Sequence, residues 1–263
     1  MAMALDFETE FPRTNSSYLS PEQRHQFFQK LKQVVVIVNT ELVKPGGGFA
    51  KGRKFERPGS SNTTCPTVHQ GAGVVLDENG TILTSAYLVP DNLQTILVRR
   101  EVDEAFWEAK LEAKSPQHDL AIIVPKKNVG PFAFATLDTE GSFRIGKEVL
   151  SICHVGNLSY TSVVGQLACQ DHRLFRDVGD DKDIAPLRSE KLNRDLKLLQ
   201  INNCHGSPSA SGAPVFSSSG RVIGLSSFVL NKFDFAVHLT ILERFYNSYQ
   251  EREGNERGES HRK

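Results

Sequence analysis

From Gly71 onward the chain consists of short apolar runs separated by turn signals, and this pattern limits the fold more than any other feature. Strands of this length at this spacing are typical of an antiparallel sandwich or barrel. The segment Asp77-Glu78-Asn79-Gly80 predicts a tight hairpin, because Asn-Gly accepts the positive φ angles of such turns. Ser217 to Gly220 predicts a second turn of this kind. The apolar runs include GVVL, TILV, LAIIV, VLSIC, LKLLQI, RVIGLSSF and FDFAVHL.

Helices are predicted on either side of this all-β core. Ser20, Pro21 and Gln23 supply an N-cap, a first-turn proline and a capping-box partner, so a short helix is expected to begin there. Its apolar face, made of Phe27, Phe28 and Leu31, is expected to pack on the core, with an oligomer contact as the alternative.

A second helix is predicted near the end of the chain. It is expected to run from Thr240 to Tyr249, with these apolar side chains inward: Ile241, Leu242, Phe245 and Tyr246. We therefore expect a disordered segment over residues 1–18, one folded domain over 19–250 and a disordered charged tail over 251–263.

Charge and hydropathy narrow the classes of partner. Basic and acidic residues balance at 31 each, so no global field draws the chain to nucleic acid or to an anionic membrane, and we expect neither partner. The longest apolar stretch, Val34 to Val38, is far shorter than the roughly 20 residues of a membrane helix. Met1 to Pro12 has neither the basic region nor the apolar region of a secretory signal.

The metal-ligating residue types show no site pattern, so we expect no metal and no cofactor. The four cysteines have no CxxC spacing, which argues against zinc and against a disulfide framework. A reduced cytoplasmic or nuclear location is therefore expected. A charged excursion from Gln170 to Asp195 contains a cluster of three aspartates without the glycine-centred pattern of a calcium loop. The cysteines are Cys65, Cys153, Cys169 and Cys204, and the aspartates are Asp180, Asp181 and Asp183.

Three segments resemble Deg/HtrA serine proteases in the order that the family uses. The stretch GAGVVLDENGTILTSAYLV resembles the family's opening hairpin, with Tyr87 where the catalytic histidine would stand. The segment HDLAII resembles the one that carries the aspartate that orients the histidine, which makes Asp119 its counterpart. SGAPV, followed by GRVIGL, resembles the nucleophile segment and places Ser211 at the nucleophile position.

The resemblance, from Val34 to Leu239, implies a chymotrypsin/trypsin-type fold of two antiparallel β-barrels and a polypeptide as substrate or partner. It also implies a homotrimer, assembled through the N-terminal segment. The family's peptide-binding PDZ domain has no counterpart among the residues after Gln250.

Activity is in question because serine must pass its proton to a nearby base as it attacks a carbonyl. Histidine suits this role with a pKa near 6.5, whereas a phenol, with an ordinary pKa near 10, scarcely accepts a proton at neutral pH. Ser209 stands where the family has a glycine that lends its N–H to the oxyanion hole, and a Cβ there restricts the backbone. The sequence thus predicts a damaged base and a damaged oxyanion hole.

Other groups offer weaker alternatives. His205 is the best substitute base by sequence position, and Cys204 beside it resembles an activated thiol, although adjacent side chains in an extended chain point apart. His69, His154 and His172 are interpreted as ordinary strand or loop residues. Three functions stay open: a pseudoprotease that binds polypeptide, a weakly active serine endopeptidase that uses Ser211, and an interaction or oligomerisation scaffold.

Overall fold

The computed structural model describes residues 19–42, 68–139, 143–155, 158–178, 192–202 and 210–260. Several predictions concern residues outside these ranges: the disordered segment over 1–18, the aspartates of the charged excursion, and the roles of Cys204, His205 and Ser209.

Thirteen strands in the described residues form two antiparallel β-barrels, as predicted. In the first barrel the strand order is β1-β2-β3-β6-β5-β4, and the barrel is closed. Its strands are β1 (Val35–Leu42), β2 (Val68–Val75), β3 (Ile82–Thr84), β4 (Leu93–Arg99), β5 (Trp107–Ser115) and β6 (Leu120–Pro125).

The second barrel has the order β13-β12-β11-β7-β8-β10, and pairing between β10 and β13 closes it. The short strand β9 pairs with the beginning of β10 and is not one of the six strands of this ring. The strands are β7 (Glu148–Val155), β8 (Leu158–Leu167), β9 (Arg173–Leu174), β10 (Lys197–Asn202), β11 (Pro214–Ser217), β12 (Val222–Leu230) and β13 (Phe233–His238).

The buried apolar side chains form three clusters: one inside each barrel and one between the barrels. Because successive side chains of a strand point to opposite faces, Val75 lies in the first barrel while Val74 points outward, and Ile82 and Leu83 divide in the same way. The outward set meets the outward side chains of the second barrel, among them Leu150 and Leu225, in one large cluster. The strands are therefore buried on both faces, and the cluster between the two barrels forms their interface, which is called the seam below.

The predicted hairpin and N-terminal helix are confirmed. The Asp77 carboxylate accepts hydrogen bonds from the backbone N–H groups of Asn79 and Thr81, and Gly80 has a φ of 82°. Helix α1 (Pro21–Leu31) has a complete capping box at Ser20, and its Phe27 and Leu31 side chains are fully buried in the chain's own core.

Helix α2 (Leu239–Ser260) corrects the predicted tail. Of the four side chains predicted to face inward, Leu242 and Tyr246 are buried, and Ile241 and Phe245 are partly buried against the core. Tyr249 is buried as well, and the helix continues beyond residue 250 to Ser260. The added residues contain no proline and are rich in Glu and Arg, which favour helix even without apolar contacts. Neither helix in the described ranges is long and apolar enough to cross a membrane.

Candidate active site

The segments of Tyr87 and Asp119 meet because their strands are neighbours in the first barrel. Tyr87 lies in a 3-10 turn (Ala86–Leu88) that follows β3, and Asp119 directly precedes β6. Thr84 on β3 pairs with Ala121 on β6, which brings the two strand ends together. The predicted histidine position and the predicted aspartate therefore share one end of the barrel.

Asp119 is a buried carboxylate that accepts three hydrogen bonds. It is 5% exposed, and its backbone has φ 53° and ψ 41°, a left-handed conformation that Asp tolerates better than most residues. Oδ1 accepts from the Ser85 hydroxyl at 2.6 Å and from the Tyr87 backbone N–H at 3.0 Å. Oδ2 accepts from the Ser227 hydroxyl of the second barrel at 2.5 Å. Both carboxylate oxygens are therefore engaged by donors that do not titrate near neutral pH.

The Tyr87 side chain is half-buried and packs against the apolar interior of the first barrel. Its ring lies 5.6 Å from the His69 ring, centroid to centroid, at an angle of 41°. His69 belongs to β2, in agreement with its interpretation as an ordinary strand or loop residue. The structure adds it to the surroundings of Tyr87.

Ser211 lies in a tight turn between the barrels and is 2% exposed. Its carbonyl accepts from the Ala72 backbone N–H of the first barrel at 3.0 Å, and the Gly212 N–H donates to the Ser226 carbonyl of the second at 2.9 Å. Gly212 has a φ of 77°, and a Cβ on it would lie 2.2 Å from the Ala72 carbonyl oxygen. Glycine is therefore required after Ser211 for the chain to pass between the barrels.

The structure thus brings the turn of Ser211 to the same seam as Tyr87 and Asp119. A Cβ on Gly212 would also lie 3.0 Å from the Ser85 backbone nitrogen, which shows how closely the turn approaches the Asp119 network. Ser209 and His205, the predicted oxyanion position and alternative base, lie outside the described residues.

Sequence reasoning missed Ser85 and Ser227. Ser85 had a local signal, since a serine two residues before Tyr87 is suited to cap a turn, and its hydroxyl does accept from the Tyr87 N–H. Ser227 is separated from Asp119 by 108 residues, so no local pattern indicates the pair.

Two histidines near the seam are held by other groups. His118 directly precedes Asp119, but its Nδ1 lies 2.8 Å from the Ser115 hydroxyl. Burial, together with the positive charge of Arg244, lowers the pKa of His118, so its imidazole is neutral at pH 7. His154 is fully buried, with Nε2 3.2 Å from the Val36 carbonyl and Nδ1 accepting from the Tyr160 N–H. The described part of the chain holds no cluster of three His, Cys, Asp or Glu side chains suited to a metal.

The chain is similar to known serine proteases. It is 25% identical to the probable periplasmic DegP-like serine endoprotease of Brucella suis, over 68% of this chain and 32% of that protein. It is 26% identical to the mitochondrial serine protease HTRA2 of Drosophila persimilis, over 74% of this chain and 42% of that protein. The matched part therefore spans less than half of the length of these relatives.

These relatives correct one expectation. The predicted cytoplasmic or nuclear location is wrong, because the relatives include proteins named as periplasmic. The absence of a recognisable cysteine pattern was a weak basis for it, since a buried thiol such as Cys153 or Cys169 is compatible with more than one compartment.

A family profile described as a trypsin-like peptidase domain matches residues 71–225, which is more than half of the sequence. The matched range contains the end of the first barrel that bears Tyr87 and Asp119, as well as the turn of Ser211. With its two closed antiparallel barrels and its distant similarity to DegP and HtrA proteases, this chain belongs to the trypsin-like peptidase domain family.

Proposed function

We propose that this domain is a degenerate Deg/HtrA-type serine protease that binds polypeptide without cleaving it. The observation that carries the proposal is the Asp119 carboxylate, which accepts hydrogen bonds from two serine hydroxyls and one backbone N–H. In an active triad the aspartate holds an imidazole that takes the proton of the nucleophile. In this chain the residue at the histidine position is Tyr87. Its backbone N–H donates to Asp119, but its side chain is a phenol and not an imidazole.

Loss of the general base removes most of the catalytic rate enhancement. A hydroxyl without a general base is a weak nucleophile at neutral pH, and loss of the triad histidine costs about a millionfold in turnover in subtilisin. A non-glycine residue at position 209 weakens the oxyanion hole in addition, and one lost donor typically costs about 100-fold to 1,000-fold. Ser211 and Asp119 then serve as structural residues of the seam.

Polypeptide binding needs no triad, because an extended peptide can add to a sheet edge through main-chain hydrogen bonds. Strand β12 offers such an edge. Before Ser226, β12 pairs with β11 on one side and with β13 on the other. From Phe228 to Leu230, its only partner among the described strands is β13. The edge of β12 opposite β13 begins at Ser226, which exchanges backbone hydrogen bonds with Gly212 and Ala213 of the Ser211 turn. A bound strand there would run directly past Ser211.

The scaffold alternative has less support. Phe27 and Phe28 were the residues expected to supply an oligomer contact; Phe27 is fully buried within the chain's own core, and Phe28 is partly buried against the same core. This helix face therefore leaves little apolar surface for a trimer contact.

Proteolysis and binding are measured separately on the same protein. We expect no cleavage of fluorescent casein, no covalent labelling by a fluorophosphonate, and an increase in anisotropy when labelled, unfolded casein peptides are titrated with the protein. Ser211→Ala should bind these peptides as the wild type does. Fluorophosphonate labelling that disappears in Ser211→Ala would instead establish a weakly active endopeptidase, and a lack of peptide binding would favour the scaffold.

A further inference from the structure

The turn between β2 and β3 contains Asn79-Gly80, the one place in the sequence where asparagine directly precedes glycine. Asparagine is among the thermolabile residues of proteins. Its side-chain carbonyl carbon can be attacked by the backbone nitrogen of the next residue, and glycine leaves that approach open because it has no Cβ. The turn therefore combines the two residue types that such an attack requires, and the proposed function makes no use of them.

The Asn79 side chain is accessible at the tip of this hairpin. The residue is exposed, and its backbone N–H donates to the Asp77 carboxylate at 2.9 Å. In the part of the chain that the structure describes, no hydrogen bond involves the side-chain amide of Asn79. No described contact therefore holds this amide away from the Gly80 nitrogen, and water reaches it freely.

The Gly80 nitrogen is held less firmly than its neighbours in the turn. Its N–H donates to the Asp77 backbone carbonyl at 3.2 Å, the long end of the usual range for such bonds. The N–H groups of Asn79 and Thr81, on either side of it, donate to the Asp77 carboxylate at 2.9 and 3.0 Å. Release of the one longer bond therefore frees the Gly80 nitrogen while the carboxylate keeps the rest of the turn together.

We propose that Asn79 is a site of spontaneous modification, at which the chain converts its own asparagine into aspartate and isoaspartate. The Gly80 nitrogen forms a bond to Cγ of Asn79, the bond between Cγ and Nδ2 breaks, and the proton of the Gly80 N–H leaves with the departing ammonia. Water, the sole co-reactant, then opens the cyclic imide at either of its carbonyl groups. Opening at one restores the ordinary backbone with an aspartate, and opening at the other routes the backbone through the side chain.

Both products place a second carboxylate next to the one that organises the turn. The Asp77 carboxylate also accepts from the Tyr246 hydroxyl at 3.3 Å, which attaches helix α2 to this hairpin. A like charge nearby disfavours the ionised form of that carboxylate. Isoaspartate in addition lengthens the backbone beside Gly80, where a Cβ would already lie 2.4 Å from the Phe132 ring. Because a packed interior resists such displacement, the isoaspartate form is the less stable product.

The test ages the purified full chain at mildly alkaline pH and follows each asparagine by peptide mass spectrometry. Conversion is detected as the mass change from amide to carboxyl, and enzymatic methylation identifies isoaspartate. Asn231 is the matched internal control, because it is also exposed in a tight hairpin, between β12 and β13, but precedes lysine. We expect the amide to be lost at Asn79 while Asn231 stays intact, and the rate at Asn79 to rise with pH, since the attacking nitrogen must give up its proton.

Two variants separate the reaction from its consequence. Asn79→Gln should stay unmodified, because its longer side chain closes a larger ring, whereas Asn79→Asp carries the charge of the product without the rerouted backbone. The aged wild type should melt about 2–4 °C below the fresh protein, the shift that corresponds to the loss of one weak polar contact in a domain of this size. Asn79→Asp should show a smaller decrease, and Asn79→Gln should melt at the same temperature before and after ageing.

Each outcome decides a separate part of the proposal, and none depends on polypeptide binding. An intact Asn79 after ageing, or equal rates at Asn79 and Asn231, would overturn the modification site. Conversion at Asn79 without a change in melting temperature would overturn its coupling to Tyr246 and Phe132. If Asn79→Gln does not fold, the two rates measured on the wild type decide alone.

Discussion

The Asp119 carboxylate of the first barrel accepts a hydrogen bond from the Ser227 hydroxyl of the second barrel, with 2.5 Å between Oδ2 and Oγ. The same carboxylate accepts from Ser85 in its own barrel. One buried carboxyl group therefore joins the two halves of the domain through two serine hydroxyls. Neither serine is the proton carrier of an active triad, which is the histidine.

Removal of either hydroxyl should destabilise the fold. Ser227→Ala and Ser85→Ala each leave a buried carboxylate oxygen with one donor fewer, and we expect each to lower the free energy of unfolding by about 1–3 kcal/mol. Urea denaturation followed by circular dichroism measures the loss. Ser218→Ala, at an exposed turn position, should differ little from the wild type. Unchanged stability in Ser227→Ala would show that the bond between the barrels contributes nothing.

Restoration of the histidine alone should not restore proteolysis. In Tyr87→His the new imidazole meets a carboxylate whose oxygens already accept from Ser85 and Ser227, and Ser209 still stands at the oxyanion position. We expect turnover of a fluorogenic peptide to stay at the Ser211→Ala background. Tyr87→His with Ser209→Gly should exceed the product of the single effects, because triad and oxyanion hole act as one unit. Strong activity in Tyr87→His by itself would refute the oxyanion argument.

Two glycine substitutions should have opposite effects. Gly212→Ala forces a Cβ to within 2.2 Å of the Ala72 carbonyl at a φ of 77°, so we expect a loss of at least about 2 kcal/mol or a failure to fold. Gly254→Ala, in helix α2, places its Cβ where nothing lies within 4 Å and should stabilise the protein by about 0.5–1 kcal/mol. Thermal unfolding of both variants beside the wild type gives the comparison. A fully stable Gly212→Ala would contradict the close approach of the barrels at this turn.

Stability should fall as the pH decreases below about 6.5, the ordinary histidine pKa. Burial lowers the pKa of His154 to about 4 in the folded protein, so between these values the unfolded chain binds the proton more readily than the folded one does. The contribution of His154 is therefore complete above pH 6.5 and is lost toward pH 4, on the order of 3 kcal/mol in total. His238, whose pKa burial also lowers to about 4, adds a loss of the same sign.

The variant His154→Gln isolates one of these contributions. Unfolding free energies at several pH values from 4.5 to 7 should show a smaller slope in His154→Gln than in the wild type, while His25→Gln, at an exposed position of α1, should keep the wild-type slope. Identical slopes in His154→Gln and the wild type would exclude His154 as the titrating group.

Sequence alone determined the features that depend on neighbouring residues. The capping box at Ser20 and the turn at Asp77 to Gly80 involve partners no more than four residues apart, so the residue types specify the hydrogen bonds. The short apolar runs between turn signals predicted the strands, and the family resemblance carried by the three ordered motifs implied two barrels. Helix α2 was predicted over its apolar part, but its charged continuation was missed because the prediction relied on apolar periodicity.

Only the tertiary structure decided what surrounds the candidate site. The partners of Asp119 come from positions 34 and 108 residues away, and the ring of His69 approaches Tyr87 across two strands of the first barrel. The interior of the second barrel likewise contains a small cavity whose wall includes side chains from each of the six strands of that barrel. Such contacts depend on strand register and on the packing of one barrel against the other, which local residue patterns do not encode. For this reason the motifs indicated where the site lies, and the fold decided which groups its charged residues meet.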